Sequence, residues 1–155
     1  MDRREAIKST AVIGAAATLP RFAWAEGNRA QLRVGLIGCS GRGMGAVKNM
    51  MDAAKGSVKL VAIADLFPDR LKLAMDKFAM YQAKFDSCKG NFDIPESRQY
   101  AGWDAYKQLI DQADVDVVIN ATPPVFRPLH LRAAVEAGKH IFVEKPACVD
   151  PVQAP

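Results

Sequence analysis

The sequence lacks several features that mark common protein classes. Its three cysteines, Cys39, Cys88 and Cys148, are an odd number and have no C-x-x-C spacing. Neither a zinc site nor a disulfide framework is therefore indicated. The weakly apolar stretch 11–17 is too short to span a bilayer as a helix. Of the 155 residues, 50% are hydrophobic, so one ordinary domain with a buried core is expected.

Net charge is also small. The chain has 21 Lys and Arg against 17 Asp and Glu, a net charge of +4. Residues 1–25 contain four basic and two acidic residues, so the remainder carries +2. This excess is too slight to indicate nucleic acid or an anionic membrane surface as a partner.

The first 25 residues are typical of an export signal. A paired arginine, Arg3-Arg4, precedes the weakly apolar stretch 11–17, and Ala23-Trp24-Ala25 is an A-x-A pattern of the kind that signal peptidases cut. We therefore expect a twin-arginine signal peptide over 1–25 and a periplasmic or otherwise exported protein, with no membrane association after cleavage. The alternatives are a disordered basic tail and a short amphipathic helix.

Residues 26–155 predict one α/β domain. Strands are predicted over 31–39, 58–65, 98–101, 114–121 and 140–144, helices over 42–55, 68–80, 103–112 and 128–137, and 81–97 has no predicted regular structure. Buried strands that alternate with helices predict a doubly wound parallel sheet of the Rossmann type. Ligands bind such sheets beyond the carboxyl ends of the strands.

The segment VGLIGCSGRGMGA carries an imperfect G-x-G-x-x-G motif, in which Gly38, Ser40 and Gly43 occupy the three glycine positions. Gly38 permits a tight turn, Gly43 permits close packing of helix on strand, and the helix start attracts a diphosphate. Ser40 adds a Cβ and a hydroxyl that can donate to a phosphate oxygen, and Gly41 keeps the loop adaptable. We expect a shifted or weakened phosphate cradle. The alternative is a glycine turn that packs a helix and binds nothing.

Asp65 ends the second predicted strand, 22 residues after Gly43. An acidic side chain there can accept hydrogen bonds from the adenosine ribose hydroxyls of a dinucleotide. It would repel a 2′-phosphate, which favours NAD over NADP, although Arg42 in the turn could soften that preference. A helix-capping or solvated aspartate is the alternative.

Two further groups follow predicted strands. Pro123 and Pro124 hold the backbone extended, as a wall for a nicotinamide ring or simply as a rigid turn. The Glu144-Lys145 pair stands at the end of the last strand. Lys145 could exchange a proton with a substrate hydroxyl while hydride moves to the nicotinamide. The alternative is two exposed surface charges.

Four segments together resemble the glucose–fructose oxidoreductase/inositol dehydrogenase (Gfo/Idh/MocA) family. They are IGCSGRGMGA, VAIADLFPDRL, GWDAYKQLI and VDVVINATPP…HLRAAVEAGKHIFVEKPACVD, and the resemblance covers residues 31–150. It implies an NAD(P)-dependent oxidoreductase that acts on a sugar or polyol. Exported members of the family are similar to this chain in carrying a twin-arginine signal.

The resemblance also implies residue roles. Glycine-turn residues would bind the cofactor, Asp65 the adenosine ribose, Thr122 and Pro123 the nicotinamide half, and Lys145 would be the catalytic acid/base. The full set of expected cofactor-binding residues is Gly38, Ser40, Gly41, Arg42, Gly43, Asp65, Thr122, Pro123, Glu144 and Lys145, and no metal site is expected. In two places the chain departs from the family pattern: Ser40 replaces a glycine, and Arg127 stands where many members carry a histidine. His130 is expected to pack a helix.

The resemblance further implies a second α/β domain that supplies most substrate contacts. This sequence stops at 149–155, where another helix should begin, so we expect a fragment that binds the dinucleotide without useful turnover. A homo-oligomer is expected only if the second domain is present. The competing hypotheses are a non-catalytic dinucleotide sensor, a methyltransferase that binds S-adenosylmethionine, and a helix–sheet domain without a ligand.

Overall fold

Five parallel strands form a single sheet in the computed structural model, which describes residues 31–150 and Val152. The strands are β1 (Leu32–Ile37), β2 (Val58–Asp65), β3 (Gln99–Ala101), β4 (Val117–Asn120) and β5 (His140–Val143). The helices are α1 (Gly41–Ala54), α2 (Pro68–Lys84), α3 (Ala105–Gln112) and α4 (Arg127–Glu136). The predicted export signal lies outside the described residues.

The strand order is β3-β2-β1-β4-β5, and every pair of neighbours is parallel. The chain runs outward from β1 through β2 to β3, then crosses back to pair β4 with the other side of β1. This reversal lies between β1 and β4, where the loops after the two strands diverge. A ligand cleft is expected at such a switch point.

Each face of the sheet is covered by two helices. On one face α1 and α2 pack against the strands, with Val47, Met51 and Phe78 almost fully buried. On the other face α3 and α4 do so, through Leu109 and Ala134 among others. The central strands are buried on both sides, as their uninterrupted apolar sequences require. The predicted doubly wound Rossmann-type fold is confirmed.

The segment predicted to lack regular structure is partly ordered. Helix α2 continues to Lys84, and short 3₁₀ turns follow at Asp86–Cys88 and Glu96–Arg98. Between the two turns, Phe92 forms a parallel bridge with Leu60 of β2. The prediction for 81–97 was wrong because aromatic side chains of this polar segment pack against α2: the Phe92 ring stacks 5.0 Å from the ring of Phe78, a residue of that helix.

Candidate functional site

A cavity of about 400 Å³ opens at the carboxyl ends of β1, β2 and β4. Its wall combines residues at the ends of strands, in the loops that follow them and at the start of α4: Gly38, Ser40, Asp65, Phe67, Trp103, Thr122, Pro123, Phe126, Arg127 and His130 are among them. Trp103 is 71% exposed, and its ring meets that of Phe126 edge to face at 6.0 Å. The cavity therefore has a polar side at the strand ends and an aromatic side formed by the loops.

The glycine turn brings α1 very close to β1. Gly38 has φ of +95°, and a Cβ on it would lie 2.8 Å from the Ala121 carbonyl carbon. A Cβ on Gly43 would lie 2.0 Å from the Gly38 carbonyl oxygen. Both positions therefore require glycine, whereas a Cβ on Gly41 would meet nothing within 4 Å.

Ser40 occupies the N-cap of α1 with ordinary extended backbone angles, φ −87° and ψ 179°. A serine fits here without strain because these angles do not require glycine. Its hydroxyl makes no capping hydrogen bond, and its carbonyl accepts the first helical bond, from the Met44 N–H at 3.0 Å. The amides of Gly41, Arg42 and Gly43 precede that bond, so they form the positive end of the helix.

Asp65 connects the end of β2 to the glycine turn. Its Oδ2 accepts a hydrogen bond from the Cys39 N–H at 2.7 Å, and its Oδ1 accepts one from the Phe67 N–H at 3.1 Å. Since a carboxylate oxygen can accept two hydrogen bonds, each oxygen keeps capacity for a ligand hydroxyl. Burial, together with the nearby Asp65 charge, raises the pKa of the Cys39 thiol, so that thiol stays protonated.

A buried polar network lies under the loop after β4. The Thr122 hydroxyl donates to Asn120 Oδ1 at 2.8 Å and lies 3.2 Å from His130 Nδ1. Burial lowers the pKa of His130 to about 4, so the imidazole is neutral at pH 7. Because the hydroxyl has only one hydrogen, His130 Nδ1 must be the donor in that contact. The His130 ring also packs 4.3 Å from the Tyr106 ring, so it packs the helix as expected and lines the cavity as well.

Arg127, the first residue of α4, is buried and bonds to three backbone carbonyls. Its Nε donates to the Thr122 oxygen at 2.7 Å, and its Nη1 donates to the oxygens of Glu144 at 2.8 Å and Pro146 at 2.5 Å. One guanidinium thus connects the loop after β4 to the turn after β5.

Glu144 and Lys145 have opposite environments. Glu144 is only 5% exposed and forms an ion pair with Arg42, which is 59% exposed. The hydrogen bond from Arg42 lowers the pKa of the Glu144 carboxyl, so this residue is not the exposed surface charge of the alternative interpretation. Lys145 is exposed and lies outside the cavity wall, and its peptide bond to Pro146 is cis.

The predicted site residues therefore fall into two groups. Gly38, Ser40, Asp65, Thr122 and Pro123 line one cavity. Gly41, Arg42 and Gly43 form the first turn of α1, and the Arg42–Glu144 ion pair joins that turn to the end of β5, beside Lys145. Thr122 and Pro123, expected to line the nicotinamide half, share one cavity with Asp65, expected to bind the adenosine ribose.

Sequence reasoning missed three contributors to the site. Trp103 and Phe126 form the aromatic wall, and Arg127 was noted only as a departure from a family pattern. Trp103 and Phe126 could have been identified from the sequence, because both lie in loops that follow predicted strands. No sequence signal marks the contacts of Arg127, because its three acceptors are backbone oxygens, which every residue has. Among residues 31–150 and Val152, no group of three metal-ligating side chains occurs, and no helix is long and apolar enough to cross a membrane.

Comparison with known proteins identifies the family to which this chain is similar. The model of a family described as an oxidoreductase family with an NAD-binding Rossmann fold (GFO_IDH_MocA) matches residues 32–155. A curated protein from Stenotrophomonas maltophilia, named glycosyl hydrolase family 109 protein, is 33% identical over 146 residues. That alignment covers 93% of this chain but 29% of the relative, so the chain spans less than a third of it.

Solved structures share the fold. The myo-inositol 2-dehydrogenase of Lactobacillus plantarum superposes with a TM-score of 0.59 at 24% identity, over 79% of this chain and 30% of that one. The WlbA dehydrogenase of Chromobacterium violaceum, solved with NADH and UDP-GlcNAcA, superposes with a TM-score of 0.54 at 23% identity, over 81% and 30%.

Proposed function

Because the chain belongs to the Gfo/Idh/MocA family of NAD-binding oxidoreductase domains, we propose that its cavity holds the adenosine half of NAD and that the start of α1 holds the diphosphate. The observation that carries this assignment is the position of Asp65. Its carboxylate lines the cavity, is fixed by two backbone amides, and keeps capacity to accept ribose hydroxyls.

The diphosphate would lie against the first turn of α1. Amides at the start of a helix attract phosphate through their unpaired N–H groups and the helix dipole. The Ser40 hydroxyl makes no capping bond and is positioned to donate to a phosphate oxygen. Because the Asp65 carboxylate would repel a 2′-phosphate, we propose NAD as the preferred cofactor over NADP.

Thr122 and Pro123 are assigned to the adenosine side, because they share a cavity with Asp65. The nicotinamide side is assigned to the end of β5. There Glu144 is held by Arg42, and the exposed Lys145 follows it directly.

Bound NAD would accept or donate hydride in the complete protein, with a sugar or polyol as the other reactant. In that reaction Lys145 is proposed to exchange a proton with the substrate hydroxyl through Nζ. Its exposed position allows a substrate to reach it, but a reaction needs the two reactants held about 3–3.5 Å apart. Since the chain spans only 23–33% of the length of the first curated relatives, we expect dinucleotide binding without useful turnover from this chain alone.

The test is a titration of the chain with NADH, NADPH and S-adenosylmethionine. Trp103 lies in the cavity wall, so its fluorescence should decrease as NADH binds, and a Trp103→Phe variant should lose that signal. Asp65→Ala should raise the Kd for NADH about tenfold or more, because hydrogen bonds to a charged acceptor are lost. The matched control is Asp69→Ala, which changes an exposed aspartate outside the cavity wall. Equal effects of the two substitutions would refute the assignment, as would tighter binding of S-adenosylmethionine.

A second candidate function for the complete protein is glycoside hydrolysis. It is favoured by the name of the S. maltophilia relative, glycosyl hydrolase family 109 protein, at 33% identity. Assays of the complete protein with nitrophenyl glycosides and with polyols plus NAD would separate the two. Release of nitrophenol without net NADH formation would favour hydrolysis.

We also propose export by the twin-arginine route, on the basis of the sequence of residues 1–25. A reporter fused after Ala25 should appear in the periplasm. Replacing Arg3 and Arg4 together by lysine should retain it in the cytoplasm, and unchanged export would contradict the proposal.

A further inference from the structure

Arg127 is a charged residue in a buried position, and removing its guanidinium from water is unfavourable. Only 6% of it is exposed, and among residues 31–150 and Val152 no carboxylate lies within ion-pair distance of its guanidinium. The pKa of the Glu144 carboxyl is lowered first by the hydrogen bond from Arg42 and in smaller part by the charge of Arg127, so this carboxyl interacts with the guanidinium at longer range. A buried cation is nevertheless unfavourable unless its donors are also satisfied. Here two of its nitrogens donate to three carbonyl oxygens.

Those three carbonyls belong to two separate segments. Thr122 lies in the loop after β4, which forms a wall of the cavity. Glu144 and Pro146 form the turn after β5, which carries Lys145 between them. Nη1 of Arg127 bonds to the oxygens on either side of Lys145, so the backbone that presents this lysine is held at both ends.

The other bonds to this turn involve Glu144. Its N–H donates a strand-type bond to the Asn120 oxygen, and its carboxyl pairs with Arg42 and accepts a hydrogen bond from the Lys145 backbone N–H. Residues 145, 146 and 147 are exposed and belong to neither core cluster. The geometry of the turn therefore depends mainly on polar bonds.

We propose that Arg127 is a positioning residue that aligns the Glu144–Pro146 turn with the cavity, so that a dinucleotide bound by its adenosine half meets Lys145 with its nicotinamide half. This inference rests on the proposed function. Arg127 lies outside the cofactor motifs, and its proposed role is to fix the position of the turn after β5 relative to the cavity.

The test compares Arg127→Met with a matched control, Arg132→Met, on the exposed side of the same helix. ADP-ribose is NAD without its nicotinamide, so the ratio of the Kd for ADP-ribose to that for NADH measures the nicotinamide contacts. Because Arg127 also lines the adenosine cavity, the test is the ratio and not the Kd for ADP-ribose itself. Arg127→Met should reduce this ratio at least about fivefold, whereas Arg132→Met should change neither the ratio nor the Kd for ADP-ribose. Arg127→Lys keeps the charge but has all its N–H donors on one atom, in place of the two separate nitrogens that bond the two segments, so it should behave like Arg127→Met.

Amide hydrogen exchange without nucleotide gives an independent readout. In Arg127→Met, peptides covering 141–149 should exchange about tenfold faster or more, because charged hydrogen bonds to the turn are lost, while peptides covering β2 stay unchanged. Unchanged exchange in 141–149 would overturn the positioning role. Two results would refute the claim that Arg127 aligns the nicotinamide half with Lys145. One is faster exchange in Arg127→Met with an unchanged ratio of the two Kd values, and the other is a wild-type ratio near one. A wild type that binds neither nucleotide would refute the proposed function, and the exchange result would still decide whether Arg127 holds the turn.

Discussion

Replacing Gly43 by alanine tests whether the glycine turn is shaped by close packing. The added Cβ would lie 2.0 Å from the Gly38 carbonyl oxygen, 3.1 Å from Leu36 Cδ1 and 3.3 Å from Ala121 Cβ. Relieving the first contact requires about 1 Å of movement, since a carbon and an oxygen in van der Waals contact lie more than about 3 Å apart.

Neither side of this contact can move freely. Gly38 has little room to move away, because it packs closely against the Ala121 backbone: a Cβ on Gly38 would lie 2.8 Å from that backbone. Helix α1 would have to move away from the sheet, separating Val47 and Met51 from the core in which both are fully buried. Overpacking of this kind costs about 1–3 kcal/mol, and a clash with backbone belongs at the upper end, about 3 kcal/mol. That is a large share of the stability of a domain this size.

The matched control is Gly45→Ala, in the same helix, where a Cβ would meet nothing within 4 Å. Alanine is favoured over glycine inside a helix by about 1 kcal/mol, so this variant should be slightly more stable than the wild type. Urea unfolding followed by circular dichroism measures both free energies. If the two variants differ by less than about 1 kcal/mol, the argument from close approach is wrong.

Three further changes have expected outcomes. Burial lowers the pKa of His130 to about 4 in the folded chain, against an ordinary value of 6.5. As pH falls, this histidine therefore binds a proton in the unfolded chain at a higher pH than in the folded chain. Stability should therefore decrease as pH falls from 6.5 toward 4, by about 2 kcal/mol after allowance for solvent, and His130→Gln should flatten that decrease in urea titrations. Arg42→Gln removes the ion pair that lowers the pKa of Glu144. The variant should melt below the wild type at pH 7, with a difference that shrinks below pH 4.5, the ordinary value for this carboxyl, and a pH-independent difference would contradict this. Ser40→Gly should raise the Kd for NADH about threefold to tenfold, because the backbone fits either residue but the hydroxyl that would donate to a phosphate oxygen is lost; tighter binding would show instead that the serine obstructs the phosphate.

Most of the fold could be predicted because the strands are short, apolar and bounded by glycine or proline. The segment VKLVAIAD was predicted as a strand over 58–65, and β2 is Val58–Asp65. The end of α2 was placed too early. The helix was predicted to end at residue 80, one residue before Tyr81. Tyr81 is only 9% exposed, because its ring packs near that of Phe85.

The site was predictable to the extent that it follows strand ends. Gly38, Asp65 and Thr122 each lie within two residues of the end of a parallel strand, so topology alone brings them to one edge of the sheet. The division of the cleft was not predictable in this way. That Thr122 shares a cavity with Asp65, while Lys145 lies outside it, depends on how the loops fold back.

The loops are joined by side chains that bond to backbone, and this explains why their arrangement is hard to infer. Asp65 holds the glycine turn through the Cys39 amide, and Arg127 holds the turn after β5 through two carbonyls. A carbonyl oxygen is present at every residue, so no sequence pattern marks which one an arginine will bond. The apolar core fixes the strands, whereas these polar bonds fix the loops relative to each other. We therefore expect substitutions at Arg127 to alter the site while the sheet stays folded, and a screen for folding alone would not detect them.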